Sequence, residues 1–398
     1  MTATASLRQR LADELVDSGT IRSPWLRRAF TDIPREVFVP RFHRPYPDEG
    51  LVDGADPDQH HEWLTQVYTD RVLVVQYTIT SDMSGAGAPT SSSSQPTVMA
   101  GMLEALDLAP THRVLEIGTG TGYHTALLCN RVGADNVTSI ELDPALADAA
   151  RDALASIGLH PRVHAADGTA GLTAAGPFDR IISTAATNHI PPAWINQLTP
   201  GGVIITDLRG GLAGSLIRLT ATGTEPEVET VQGRFVGLPG AFMPLRARTD
   251  HSHRDGENWH NVVYDQRNPQ RSTTDIDPAT LADNRSLRFH TQLHLAGHQL
   301  RGFCRPLPGT AGADQLDGRA TDTSWFTTNL QPDHNNRHVV TQGGPRRLWD
   351  TVETAHNTWL WLGKPGVEQF GVTAHDDIDY QYIWYDNPES GYRWPLPL

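Results

Sequence analysis

Two spacings of apolar residues organise much of this chain of 398 residues. Short apolar runs that end in small or polar residues predict buried parallel strands, and apolar residues three or four positions apart predict helices. From residue 95 the two patterns alternate with short connections, which is typical of a doubly wound, mostly parallel, Rossmann-like α/β sheet. The predicted strands are Arg113–Ile117, Val137–Glu141, Val163–Ala166, Arg180–Thr184, Val203–Asp207, Leu216–Thr222 and Glu227–Val231, and the predicted helices are Tyr123–Val132, Pro144–Ile157 and Pro192–Gln197.

The region before this pattern is less regular. Leucines at positions 7, 11 and 15 lie on one helical face, and they predict a helical segment within residues 1–42. A strand is expected at Val72–Ile79. A Ser- and Gly-rich loop over residues 76–96 follows and ends in the run Ser91–Ser94. Such a run is often a flexible linker, so its function depends on what flanks it.

The composition changes after residue 246. Residues 247–285 are polar and rich in His and Asp, and they predict a linker or long irregular loop. Alternating apolar residues over 287–295 then predict a half-exposed strand, and helical spacing recurs over 348–362. Further strands are expected at Gln369–Thr373 and Tyr380–Trp384. We therefore predict two domains, a first over 1–246 and a mixed α+β extension over 247–398.

Three evenly spaced histidines in the extension are candidates for a metal site. His290, His294 and His298 recur every four positions, and on a helix this spacing would indicate a metal-binding face. The apolar alternation predicts a strand instead, on which His290 and His294 point to solvent, too far apart to share one ion. We expect no metal site.

Composition and charge exclude several classes of protein. The net charge of −14 argues against a nucleic-acid partner, and two cysteines are too few for a disulfide scaffold or a Cys-rich zinc site. No apolar run of about 18 residues is present, so we expect no membrane partner and a cytoplasmic location.

The glycine-rich stretch Glu116–Tyr123 ends the first sheet strand and opens the next helix. Glycines there allow the backbone to approach a ligand closely at a helix N-terminus. The spacing G-x-G-x-G after an acidic residue suits a cationic sulfonium amino acid better than a pyrophosphate. Glu141 and Asp167 end the next two strands, where carboxylates can accept hydrogen bonds from ribose hydroxyls and an adenine amino group. Convergence of several strand ends is a stronger signal than one glycine loop, which tight packing alone would also explain.

Residues 17–246 resemble protein-L-isoaspartate O-methyltransferases. The matching segments are Ile33–Pro40, Ser94–Pro96 with Met99–Glu104, Arg113–Tyr123 and Pro177–Ile182. The resemblance implies a class I methyltransferase fold and S-adenosyl-L-methionine as cofactor. It implies catalytic roles for Ser94 and its neighbour Ser93. The cofactor-binding residues that we predict are Glu116, Gly118, Thr119, Gly120, Gly122, Tyr123, Glu141, Leu142, Asp167, Gly168 and Thr184.

The long serine loop and the extension depart from the compact repair enzymes of this family. Both features, with Phe242–Arg246 and the stretch Trp359–Pro365, resemble relatives associated with graspetide and lanthipeptide maturation. That resemblance implies methylation of an aspartate in a modified, macrocyclic peptide made by a neighbouring enzyme, with the ester closing to an aspartimide. The alternatives are a general repair methyltransferase for isoaspartyl residues and a peptide-binding module without activity. The intact glycine loop, Glu141, Asp167 and Ser94 argue against the last.

Overall fold

The computed structural model describes residues 3–44, 50–77, 88–223, 228–247, 269–295, 300–304, 314–320 and 322–397. The helices are α1 Ala3–Asp17, α2 Pro24–Asp32, α3 Arg35–Phe38, α4 His60–Val67, α5 Pro96–Leu106, α6 Tyr123–Val132, α7 Pro144–Ser156, α8 Pro192–Ile195, α9 Pro278–Asp283, α10 Arg285–His294 and α11 Leu348–Trp361. The strands are β1 Arg41–His43, β2 Leu51–Asp53, β3 Leu73–Tyr77, β4 Pro89–Ser93, β5 Val114–Ile117, β6 Val137–Glu141, β7 Arg162–Ala165, β8 Phe178–Thr187, β9 Leu198–Arg209, β10 Gly214–Thr222, β11 Thr230–Phe235, β12 Gln270–Thr274, β13 Leu300–Cys304, β14 Gln315–Ala320, β15 Trp325–Asn329, β16 His338–Gly343, β17 Phe370–His375, β18 Gln381–Tyr385 and β19 Arg393–Pro395.

A ten-stranded sheet in the order β19-β18-β17-β11-β10-β9-β8-β5-β6-β7 forms the centre of the molecule. Strands β9, β8, β5, β6 and β7 run parallel, and the remaining neighbours pair antiparallel. The predicted α/β fold class is confirmed. Continuous apolar runs such as β5 are buried along their whole length because helices cover both sheet faces. The carboxyl ends of the parallel strands therefore meet at one edge, where a ligand can bind.

The C-terminal region is built into this sheet. The sequence places a domain boundary at residue 246, but β17 pairs with β11 across it, Val231 lying opposite Ala374. Phe289, Phe370 and Ile383 belong to the same buried cluster as Ile181 on β8. A second sheet, in the order β12-β16-β15-β14-β13, lies within the C-terminal region and has its own apolar cluster around Trp349. The predicted mixed α+β character is present, and the main sheet runs across the predicted boundary.

The strand predicted over residues 287–295 is wrong, because this segment is helix α10. Asn284 caps the helix by accepting a hydrogen bond from the Leu287 backbone N–H at 2.9 Å. Phe289 and Leu293 pack into the main-sheet cluster, whereas Leu287 and Leu295 pack into the second cluster. A helix buried on two sides carries apolar residues at every second position, which imitates a strand.

The prediction for the histidines is also wrong, because His290 and His294 lie on helix α10 and not on a strand. His290 is fully buried and its Nε2 lies 3.3 Å from His294 Nε2, so the two rings are neighbours rather than separated and exposed. Burial lowers the pKa of His290 to about 3. His298 lies outside the described residues. Among the residues that the structure describes, no group of three or more metal-ligating side chains is present.

Two predicted loops contain regular structure. Ser91–Ser93 belong to β4, which pairs with β3 in register Leu73 to Ser93, so the serine run is not a flexible linker. The strand predicted at Val72–Ile79 is confirmed over Leu73–Tyr77, and residues 78–87 lie outside the described part. Within the predicted linker 247–285 the structure contains β12 and α9, and residues 248–268 are not described.

Candidate active site

A cavity of about 330 Å³ opens at the carboxyl ends of β5, β6 and β8. Residues Gly118–Thr121 line one wall, and Glu141, Leu142 and Gly168 extend it across the next two strand ends. The serine strand β4 also lines the cavity and adjoins the glycine loop, since a Cβ at Gly120 would lie 3.6 Å from the Ser92 carbonyl oxygen. Residues 241–246 complete the lining. The strand ends that the sequence predicts to converge therefore meet at one cavity. Residues 241–246, which follow β11, add a part of the lining that the sequence does not predict.

The glycine loop supplies the backbone conformation that a closely bound ligand needs. Gly118 and Gly120 have φ values of 93° and 53°. A Cβ at Gly118 would lie 2.7 Å from Thr184 Oγ1, whose hydroxyl donates to the Gly118 carbonyl at 2.6 Å. Gly122 has a different role, because it caps α6 and a Cβ there would lie 3.3 Å from Ala150 on α7. Gly118 and Gly120 line the cavity, whereas Gly122 packs two helices together.

Two carboxylates follow the next two strands. Glu141 is largely buried, lines the cavity and accepts from the Gly120 N–H at 2.8 Å through Oε2. Asp167 accepts from the Thr169 backbone N–H at 2.9 Å and from its hydroxyl at 2.7 Å. The lining residue beside it is Gly168, whose carbonyl accepts from Trp194 Nε1 at 2.8 Å. Asp167 therefore orders the turn that presents Gly168 to the cavity.

Glu116, which the sequence predicts to bind the cofactor, does not line the cavity. Its carboxylate is fully buried and accepts from His124 Nδ1 at 2.7 Å, Thr125 Oγ1 at 2.5 Å and Ser139 Oγ at 2.6 Å. His124 itself lines the cavity. The sequence prediction missed this histidine; its position at the start of the helix after the glycine loop is the only local signal.

Tyr123 begins α6 with its ring buried against Phe30 and Phe38. Its hydroxyl is buried and has no hydrogen-bond partner among the described residues. Burial raises the pKa of this phenol well above its usual range, so it remains a protonated donor. The guanidinium of Arg35 lies 5.7 Å from the ring centroid.

Arg35 holds the serine strand from behind. It is fully buried, and its guanidinium donates to the carbonyls of Val67 at 3.0 Å and Thr69 at 3.2 Å. It also donates to Ser93 Oγ, at 3.2 Å from Nη2, and to the Ser94 carbonyl at 2.9 Å. Burial lowers the pKa of Arg35 to about 10, so the side chain is still charged at neutral pH. A fixed cation thus stands directly behind both serines for which we predict catalytic roles.

Residues 241–246 are fixed to the end of β8 and to β9. The Ala186 N–H donates to the Met243 carbonyl at 2.8 Å, and the Leu245 N–H donates to the Ala186 carbonyl at 2.7 Å. The Phe242 N–H donates to Asp207 Oδ2 at 3.2 Å. Asp207 is fully buried, and desolvation raises its pKa although Arg209 opposes the shift. This wall of the cavity is therefore held by backbone and side-chain bonds together.

The cavity fits S-adenosylmethionine in two respects. The positive-φ glycines let the backbone approach a ligand, and the Glu141 carboxylate lines the cavity at the end of β6, where it can accept from ribose hydroxyls. Together with the Rossmann-like sheet, these features define a class I S-adenosylmethionine-dependent methyltransferase. Among the described residues no helix is both long and apolar enough to cross a membrane.

The family follows from comparison with known proteins. Residues 6–211 match the model of the protein-L-isoaspartate(D-aspartate) O-methyltransferase family, and the chain belongs to this family of carboxyl O-methyltransferases. It is 37% identical over 229 residues, 56% of this chain and 91% of the relative, to protein-L-isoaspartate O-methyltransferase 1 of Anaeromyxobacter sp. (strain Fw109-5). It is 34% identical over 242 residues, 61% of this chain and 96% of the relative, to the enzyme of Methylorubrum populi (strain ATCC BAA-705 / NCIMB 13946 / BJ001).

A solved structure extends the similarity in fold to the C-terminal region. It is a protein-L-isoaspartate O-methyltransferase that is 19% identical, with a TM-score of 0.51 over 96% of this chain and 100% of the other. The predicted family, enzyme class and cofactor are confirmed. The peptide-maturation branch, the macrocyclic substrate and the individual roles of the site residues stay predictions.

Proposed function

We propose that this chain methylates the side-chain carboxylate of isoaspartyl or aspartyl residues in a protein or peptide. The observation that carries the proposal is one cavity that is lined both by the glycine loop and by Ser91–Ser94. The names of the relatives support isoaspartate as the natural acceptor.

The cofactor would lie along the strand ends. Gly118–Gly120 and Thr184 suit its amino-acid end, because the backbone is most closely approachable there. Glu141 can accept from the ribose hydroxyls, and Leu142 with Gly168 can hold the adenine. When bound, S-adenosylmethionine supplies an electrophilic methyl group.

The protein's contribution is to bind and orient the acceptor. A carboxylate with a pKa near 4 is already ionised at pH 7, so the reaction needs no strong general base. Ser93 Oγ accepts N–H bonds from Arg35, which leaves its own hydrogen free to donate to a carboxylate oxygen. The buried Arg35 cation also favours an anion at this wall. Orientation of the reacting groups can supply a large part of the rate enhancement.

Replacing Ser93 by alanine should lower kcat/KM for a carboxylate peptide by about ten- to a hundredfold, since one hydrogen bond to a charged group is lost. Ser94→Ala should lower it as well, although the sequential serines can partly substitute for each other. Affinity for S-adenosylhomocysteine, measured calorimetrically, should stay unchanged. Ser156→Ala, on the outer face of α7 with its hydroxyl on the Ala153 carbonyl, is the matched control. Full activity of the Ser93→Ala, Ser94→Ala double variant would remove the role we assign to the serines.

A second candidate is methylation of aspartate in a modified, macrocyclic peptide, with closure of the ester to an aspartimide. It rests on the C-terminal region, which lies beyond the family match at residue 211 and contacts residues that follow β8. Gln381 exchanges hydrogen bonds with the Ile190 backbone, at 2.9 Å to its N–H and 2.7 Å to its carbonyl, just after β8. A substrate-recognition role for residues 247–398 would place a larger binding surface beside the cavity.

One experiment separates the two candidates. The enzyme is given an isoaspartyl peptide, its aspartyl isomer, and the linear and cyclised forms of a precursor peptide encoded beside its gene. Methyl ester and aspartimide are followed by mass spectrometry. Turnover of the isoaspartyl peptide alone supports repair, and turnover of the cyclised precursor alone supports the second candidate. No methylation of any of the four would contradict both.

A further inference from the structure

Asp207 is a fully buried carboxylate near the carboxyl end of β9, and it does not itself line the cavity. Its Oδ2 accepts from Arg209 Nε at 3.0 Å and from the Phe242 backbone N–H at 3.2 Å. Its Oδ1 has no hydrogen-bond partner among the described residues. Burying a carboxylate is costly, so the cavity-lining residue that this one binds indicates its role.

The chain just before Phe242 packs directly onto this carboxylate. A Cβ at Gly240 would overlap Asp207, and the Gly240 carbonyl accepts from Arg209 Nη2. Only a glycine therefore fits between Asp207 and the lining segment 241–246. Because one residue separates Gly240 from Phe242, a displacement at the glycine would move the lining.

Helix α10 of the C-terminal region holds the same part of the chain from the other side. Arg285 Nη2 donates to the Gly214 carbonyl at 3.0 Å and to the Leu238 carbonyl at 3.4 Å. Farther along the helix, Gln292 Oε1 accepts from the Ala213 N–H at 3.0 Å. Helix α10 thus bonds both to the start of β10 and to the chain that leads into the cavity lining.

The lining segment 241–246 belongs to the serine side of the cavity. Leu238, just before it, lies against α5, since a Cβ at Gly101 would lie 2.5 Å from Leu238 Cδ1. At its other end, Arg246 Nη2 donates to the Thr90 carbonyl on β4 at 3.4 Å. The segment and its approach therefore contact the two elements that carry and follow the serine run.

We propose that Asp207 and Arg285 are positioning residues for the acceptor peptide, because they hold the chain before residue 241 and so set the lining segment against the serine strand. The proposal rests on the carboxyl methylation proposed above. It lets the C-terminal region act on acceptor binding from behind the cavity wall, since neither residue lines the cavity. A wall that is in place for only part of the time lowers the apparent affinity for the acceptor by that fraction.

Replacing Asp207 by alanine should raise KM for an isoaspartyl peptide by about three- to tenfold, because the wall would be in place in about a tenth to a third of the molecules. The value of kcat should change little, since bound peptide favours the ordered wall. Affinity for S-adenosylhomocysteine, measured calorimetrically, should also change little, because the glycine loop and Glu141 lie outside this network. Asp207→Asn should recover part of the loss, since its amide oxygen can still accept from the Phe242 N–H.

The matched control is Asp179→Ala. Asp179 Oδ2 also accepts from a backbone N–H, that of Arg113 at 2.7 Å, but it lies at the start of β8 and does not line the cavity. This variant should keep the wild-type KM for the peptide.

Arg285→Met tests the contribution of α10 and keeps the proposal falsifiable if Asp207→Ala folds poorly. It should give the same selective rise in KM, whereas Arg271→Met, at an exposed position on β12 of the same region, should not. A wild-type KM in the Asp207→Ala and Arg285→Met variants, or an equal loss of affinity for S-adenosylhomocysteine, would overturn the positioning role.

Hydrogen exchange distinguishes failure of this inference from failure of the proposed function. The backbone amides of residues 241–246 should exchange faster in Arg285→Met than in the wild type, and those of residues 114–123 should not. If the wild-type protein does not methylate the isoaspartyl peptide, that proposed function is contradicted, and faster exchange would still support the positioning of the wall. Unchanged exchange at residues 241–246 would overturn the positioning role whether or not the peptide is methylated.

Discussion

A chain cut after residue 246 should fail to fold into a stable monomer, although it contains the whole family match, residues 6–211. Removing β17 exposes the edge of β11 from Thr230 to Arg234. It also strips Phe289, Phe370 and Trp394 from the cluster against the main sheet. Each large apolar side chain contributes about 1.5–3 kcal/mol on burial, and a domain has only about 5–15 kcal/mol in total.

Circular dichroism and size-exclusion chromatography of residues 1–246 measure this result. The control is the same fragment co-expressed with residues 247–398 as a separate chain, which should restore a soluble, folded complex because the contacts are retained. A monomeric 1–246 fragment with a cooperative thermal transition close to that of the full chain would show that the C-terminal region is an independent appendage.

Replacing Arg35 by methionine should lower the free energy of unfolding by about 3–5 kcal/mol, because several carbonyls lose their donor and each unsatisfied buried acceptor costs roughly 1–3 kcal/mol. The methionine fills similar volume, but it leaves the carbonyls of Val67, Thr69 and Ser94 without their donor. Because Ser93 loses its anchor as well, methyl transfer should fall with stability. Urea denaturation monitored by tryptophan fluorescence gives the free energy.

Arg35→Lys separates charge from geometry. Lysine keeps the cation but cannot reproduce the planar set of donors, so an intermediate loss is expected. Arg28→Met, on the exposed face of α2, should change stability by less than about 0.5 kcal/mol. Equal stability of the Arg35→Met and Arg28→Met variants would contradict the anchoring role.

Local signals explain which parts of the site could be predicted. Gly118 and Gly120 are visible in sequence because a strand must turn sharply into a helix there, and Glu141 is visible because it ends a buried strand. Arg35 appeared only as part of a matching segment. Its partners Ser93 and Ser94 lie 58 and 59 positions away, and no local pattern reports a contact of that separation.

The C-terminal region shows where a prediction from apolar periodicity fails. The apolar residues at 287, 289, 293 and 295 predict a strand if the segment has one buried face, whereas α10 is buried on two. That second face exists only because β17 and β18 continue the main sheet. The predicted domain boundary at residue 246 coincides with a change in composition, but β11 and β17 pair across it.

The class of chemistry can be predicted from the order of residues alone, because the glycine loop and the strand-end acids are short-range requirements of the fold and its cofactor. The role of Glu116 depends on the assembled fold. Its carboxylate lies behind the cavity wall and accepts from three donors, His124 and Thr125 on α6 and Ser139 on β6. Which atoms donate and which accept depends on the whole hydrogen-bond network, so it cannot be predicted from any one of its residues.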